Sequence, residues 1–215
     1  MIRSDTTPHG RKGQTGIGLI EVLIALLVIS IGLLGVMGLQ VNAKRTNYEA
    51  LERTVALQLV EDMLVRMRTN AYTTAGVDTY LNLGNNKVVE VDASNITAPT
   101  KLCDSGNSCS ADELAAFDLY EWQLAMAGES VQVGADADDD RVGGLVAPTG
   151  CISGPGDGSG FVTVTLAWRG KIPVNQPNLA DITCGVASGI YDDAAGDAAF
   201  RRHVTVRTYI VGLEP

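Results

Sequence analysis

Few residues in this chain could do chemistry, and the first stands alone. Glu21 precedes an apolar run in which no residue from Val22 to Leu39 is charged. An ionisable side chain at membrane depth costs at least ~2.5 kcal/mol, so its presence marks a function. Further on come four cysteines, Cys103, Cys109, Cys151 and Cys184, an alternating acidic run at Asp136, Asp138 and Asp140, a glycine-rich GPGDGSG over 154–160, and His203.

Each pattern points to a chemistry that its neighbours support or deny. The cysteines are even in number, follow the apolar run, and lack a C-x-x-C pair or accompanying histidines, which favours disulfides over zinc. Three pairings are open; the short CDSGNSC spacing favours Cys103 with Cys109, leaving Cys151 with Cys184. The acidic run has the alternation of a calcium loop but puts Arg141 at the turn glycine and Ala147 at the bidentate glutamate, so it reads as a solvated turn. GPGDGSG lacks the lysine of a phosphate loop and leads into a strand, and it fails the spacing of a nucleophile elbow. His203 has no acid, base and nucleophile set around it. The residues therefore predict no catalysis, no metal, no cofactor and no small-molecule substrate.

Charge narrows the partners. Residues 1–16 carry Arg3, Arg11 and Lys12 against Asp5, net +2, so the remainder holds −11 of the total −9. That acidity, with aromatics at 5%, predicts no nucleic-acid footprint. It helps keep an exported head soluble.

The element that must position Glu21 is the run from Gly16 to Val41. Roughly 20 apolar residues at ~1.5 Å each span a ~30 Å hydrocarbon core. Basic residues just before it hold that end in the cytoplasm, which sends the rest outward in a single pass. A secretory signal cut after Ala43 and a plain uncleaved anchor share this pattern; the run is long for the first, since such apolar regions hold about 7 to 15 residues.

The segment Gly16-Ile17-Gly18-Leu19-Ile20-Glu21, continuing VLIALLVIS, resembles the class III signal of type IV pilins and type II secretion pseudopilins. Ile17 stands where that family usually has Phe. The resemblance implies that a prepilin peptidase cuts between Gly16 and Ile17 and methylates the new amino terminus, and that Glu21 becomes the fifth residue of the mature chain. A carboxylate four residues from a terminal amine can compensate that buried charge, its own or a neighbour's, and so set the register of one subunit against the next. Gly32, Gly35 and Gly38 loosen the helix, at roughly 1 kcal/mol each relative to alanine, or admit close helix packing. The cadence IGLLGVMGLQ and the phrase DLYEWQLAM are similar to minor pilins of the PilV type.

The resemblance implies an α+β pilin fold, with one long amino-terminal helix, membrane-spanning in its first half, packed on a globular head with an antiparallel sheet. The expected divisions are a leader at 1–16, a transmembrane and filament-core helix at 17–41, its soluble half at 42–70, and a periplasmic head at 71–215. It implies a structural subunit of the inner membrane, later carried into an extracellular pilus, whose partners are prepilin peptidase, other minor pilins and the major pilin. A minor pseudopilin of type II secretion is the alternative within the family, and a membrane-anchored periplasmic binding module the alternative outside it.

Periodicity places the rest. Tyr48, Leu51, Val55, Leu59, Met63 and Met67 recur at three and four residues and predict one buried stripe, with Arg45, Glu49, Glu52, Arg53, Glu61, Asp62, Arg66 and Arg68 on a solvated face. Ser110 and Glu113 form a capping box for a helix with Leu114, Phe117, Tyr120 and Leu124 on its apolar side, ended at Gly128. Strands are expected at 87–91, 161–168 and 202–210, and more weakly at 130–133; residues 170–200 are expected as an exposed loop tied by Cys184.

Overall fold

The computed structural model describes residues 18–70, 78–81, 83, 88–93, 96–104, 106–129, 144–154, 160–174, 183–194 and 198–210. Contacts divide the chain into two units, Met1–Asn47 and Tyr48–Pro215. Helix α1 spans Leu19–Asn70, followed by a short α2 at Asp78–Leu81, β1 at Val88–Asp92, α3 at Ala111–Ala127, β2 at Thr149–Ser153, β3 at Gly160–Arg169 and β4 at Arg201–Ile210. The expected fold class is the one observed: a long apolar amino-terminal helix and a four-stranded antiparallel sheet.

In the first unit every described residue, Gly18 to Asn47, is exposed, including the whole apolar run. A helix apolar on all sides belongs in a low-dielectric surrounding, because in water each exposed leucine forfeits about 1.5–3 kcal/mol. Among the described residues, α1 is the one helix long and apolar enough to cross a membrane.

In the second unit the strands lie in the order β1-β2-β3-β4, each antiparallel to its neighbour. Alternation in β3 puts Val162, Val164, Leu166 and Trp168 on one face, all at most 2% exposed. They join Val204 and Ile210 of β4, Ile152 of β2, Leu119, Trp122 and Met126 of α3, and Val60, Met63, Leu64 and Met67 of α1 in one core. On the opposite face of the sheet a second small buried cluster lies at one end, formed by Cys151, Ala167, Cys184 and Tyr191.

Three sequence expectations are corrected here. The buried stripe of α1 is Ala56, Val60, Met63, Leu64, Met67 and Asn70, while Tyr48 and Leu51 are 55% and 59% exposed. The stripe is rotated because apolar side chains flank both sides of the line, and the sheet and α3 choose the side with small Ala56. In α3 the buried residues are Ala115, Asp118, Leu119, Trp122 and Met126; Leu114, Phe117, Tyr120 and Leu124 are only half-buried. The segment between β3 and β4 is not simply exposed, since Cys184 and Tyr191 are buried.

The local signals for α3 hold in detail. Glu113 N donates to Ser110 Oγ (3.3 Å) and Ser110 N donates to Glu113 Oε2 (2.8 Å), a reciprocal box, and Gly128 closes the helix at φ 82°. Strand β2 was not anticipated: TGCIS has two strand-forming residues, Thr149 and Ile152, three apart and so off the alternating period, and a glycine between them. The strand expected over 130–133 and the alternating acids Asp136, Asp138 and Asp140 lie outside the described residues.

Candidate functional site

Gly16 and Ile17 also lie outside the described residues; Glu21 lies within them, in the first turn of α1. Its backbone N–H donates to Gly18 O (2.9 Å), a tight initial turn that precedes regular α-helix. An acid in the first turn is favoured by the helix dipole, typically by about 0.3–1 kcal/mol. Glu21 has no ion-pair partner among the described residues, and its neighbours along the helix are apolar. Chemically this is a lone carboxylate on an apolar rod. Further along, a Cβ added at Gly32, Gly35 or Gly38 would meet nothing within 4 Å, so these glycines leave the helix surface open.

The second unit must hold its own half of α1 firmly, and a polar network does so. Arg66 Nη1 donates to Asp118 Oδ1 (3.2 Å) and to Glu121 Oε2 (2.8 Å), and Nε to Asp62 Oδ2 (2.9 Å). Tyr80 OH donates to the other carboxylate oxygen of Asp118 (2.5 Å), and Asn70 Nδ2 donates to Tyr80 OH (3.3 Å) and to Ala111 O (3.0 Å). Burial pushes the Asp118 carboxyl above the ordinary aspartate range, against the hydrogen bonds from Tyr80 and Arg66. Burial, reinforced by Asp118, pushes Tyr80 well above an ordinary phenol, so it is a permanent donor. Burial pulls Arg66 down, but its bonds to Glu121, Asp62 and Asp118 outweigh this and raise it. The sequence placed Arg66 on a solvated face; it instead ties α1 to α3, as Trp122 does by donating Nε1–H to Leu59 O (3.0 Å). Arg202 Nη2 to Glu49 (3.2 Å), Arg68 Nη2 to Thr208 (2.8 Å) and Trp168 Nε1 to Glu52 (3.3 Å) tie α1 to the sheet.

The cysteines are joined as Cys103–Cys109 and Cys151–Cys184. The second bridge fastens the segment before β4 to β2, where the Tyr191 hydroxyl donates to Ala147 O (2.8 Å) and lies 3.0 Å from Thr149 Oγ1. Burial pushes the Tyr191 phenol up to about 12. His203 sits half-buried on β4 with Nδ1 lacking a partner among the described residues. Burial, then Arg201 and Arg53, hold its imidazole below the ordinary histidine range. Among the described residues no three His, Cys, Asp or Glu side chains gather as metal ligands.

With these positions fixed, two family models match. Residues 11–37 match the prokaryotic N-terminal methylation motif, and residues 38–120 match type IV pilin Tt1218. Together they support the type IV pilin superfamily. No curated protein and no solved structure matches the chain. The methylation motif takes in Gly16, Ile17 and Glu21 and implies processing by a prepilin peptidase. The motif and the apolar helix fit membrane anchoring followed by incorporation into a pilus. The pilin match begins inside α1 at Gly38 and ends in α3 at Tyr120, so it takes in Arg66 and Asp118 but not Trp122. Type IV pilins are structural subunits, and a carboxylate on an apolar rod with a stapled head suits such a role.

Sequence reasoning missed Tyr80, Tyr191 and the ion pairs of Arg66. The DTYL tetrapeptide that carries Tyr80 is too short to show periodicity. The spacing of Asp118 and Trp122, four apart on one helix face, was the available signal for a packed and partnered pair.

Proposed function

We propose that this chain is a minor pilin of the PilV type. It is made as an inner-membrane precursor with its head in the periplasm, cut between Gly16 and Ile17, and methylated at Ile17. The divisions are a leader at 1–16, a membrane and filament-core helix at 17–41, its soluble half at 42–70, and a head at 71–215. Glu21 compensates a terminal amine when subunits pack, and the head joins other minor pilins in a complex that primes assembly or sits at the filament tip. The observation that supports the pilin part of this reading is the adjoining pair of matches, the methylation motif running directly into the pilin match; the PilV type rests on the resemblance of IGLLGVMGLQ and DLYEWQLAM.

The test is intact mass of the membrane form made beside a prepilin peptidase. Loss of residues 1–16 with gain of a methyl group supports the reading. A full-length mass, or loss through Ala43, overturns it. Replacement of Gly16 should leave the precursor uncut. In a deletion strain, twitching motility should fail; intact motility with failed protein secretion would assign the chain to the pseudopilins instead.

A further inference from the structure

The sheet ends in β4, a ten-residue strand paired on one side, to β3. Among the described residues no other backbone hydrogen-bonds along its far side beyond Arg201. A long free edge is a ready template for another strand, and proteins leave few of them unguarded. The outer face beside this edge is uneven. At the Arg201 end the Cys151–Cys184 bridge and Tyr191 cover it; at the Ile210 end it is open.

The open end carries a built cluster. Phe161 and Tyr209 are register partners across β3 and β4, 53% and 52% exposed, with ring centroids 5.4 Å apart in an edge-to-face arrangement. The Arg207 guanidinium lies 4.6 Å from the Phe161 ring centroid. Arg207 is exposed and has no carboxylate partner among the described residues, in a chain of net charge −9 with 25 acids. The strand itself, RRHVTVRTYI, contains no acid. Arg202 is occupied by Glu49 and Ile172 O, which leaves Arg207 as the exposed cation of the edge. Aromatic and arginine side chains are the residues that dominate binding energy at interfaces, and charge complementarity selects the partner.

We propose that β4 is a docking edge for an acidic, extended segment of a partner subunit. The segment adds as a fifth strand through its backbone and sets a carboxylate on Arg207 beside the Phe161–Tyr209 pair. The inference rests on the pilin reading only in naming the partner as another subunit. A guanidinium that merely deters edge-to-edge association would leave the edge unpaired, so that proline in the peptide would make no difference to its binding.

The experiment uses the full chain in detergent and fluorescence anisotropy with three labelled peptides: alternating Glu and Val, the same with Lys for Glu, and the acidic one with proline at alternate valines. The acidic peptide binds; the Lys and proline forms bind at least about tenfold more weakly, a difference of about 1.4 kcal/mol. Arg207→Gln and Tyr209→Ser weaken the acidic peptide by a similar factor with unchanged thermal unfolding. Lys101→Ala, which removes a cation beside Glu113 on α3, leaves binding unchanged. Absence of acidic-peptide binding, equal binding of the Lys or proline peptide, or indifference to Arg207→Gln would each overturn the proposal. Binding needs only the folded head, whereas cleavage mass reports the pilin reading, so the two fail separately.

Discussion

Trp122 of α3 lies against Gly150 of β2 so closely that a Cβ on residue 150 would fall 2.3 Å from Trp122 Cζ3. The glycine that weakens β2 as a sequence signal therefore leaves the space that the Trp122 ring occupies against the sheet. Gly150→Ala should destabilise the head by about 1–3 kcal/mol, the usual cost of overpacking. Chemical denaturation checks this, and Trp122→Leu combined with Gly150→Ala should cost less than the sum of the two. An additive result would show that the contact is not the cause.

His203 gives the head a pH dependence of known sign. Its folded pKa lies below the unfolded one, for burial first and then for Arg201 and Arg53. Between the two values the unfolded chain holds a proton that the folded chain does not. Stability is therefore complete above the unfolded pKa, about 6.5, and falls as the pH drops toward the folded value. After removal of residues 1–16 this is the sole histidine, so one imidazole NMR signal should titrate below the ordinary range. His203→Gln should flatten thermal stability between about pH 6.5 and the folded pKa.

The two disulfides should differ in worth. Cys151–Cys184 closes 33 residues and Cys103–Cys109 closes 6. On the loop-closure model these contribute about 4 and about 2 kcal/mol respectively. Paired Cys→Ala replacements, compared by denaturation, should show the longer bridge as the costlier loss. The Tyr191 phenol should then titrate nearer an ordinary tyrosine, seen as loss of a late alkaline absorbance phase near 12.

Glu21→Gln should separate maturation from assembly. Membrane insertion depends on the apolar run and cleavage on the residues before it, so a processed, membrane-bound chain is expected. Under the proposed function incorporation into pili should fall sharply, because a neutral amide would leave a terminal amine uncompensated in an apolar setting. Immunoblots of membrane and sheared-pilus fractions measure both steps, and normal incorporation would remove Glu21 from the assembly mechanism.

The sequence by itself determined what depends on short range. A run free of charge from Val22 to Leu39 has no stable place but a bilayer or a packed core, the Ser110 and Glu113 box starts a helix wherever it stands, and alternation over 161–168 and 202–210 fixes which side chains share a face. The tertiary structure decided what depends on neighbours distant in sequence. Which side of α1 is buried was settled by the sheet and α3 approaching at Ala56 and Val60, not by the density of apolar residues around Tyr48 and Leu51. Arg66 looked like any exposed cation until Asp118, 52 residues away, came within 3.2 Å. Strand β2 was invisible because its glycine is explained only by Trp122. Local propensity and periodicity act within a few residues; packing and charge pairing are set by what the fold brings alongside.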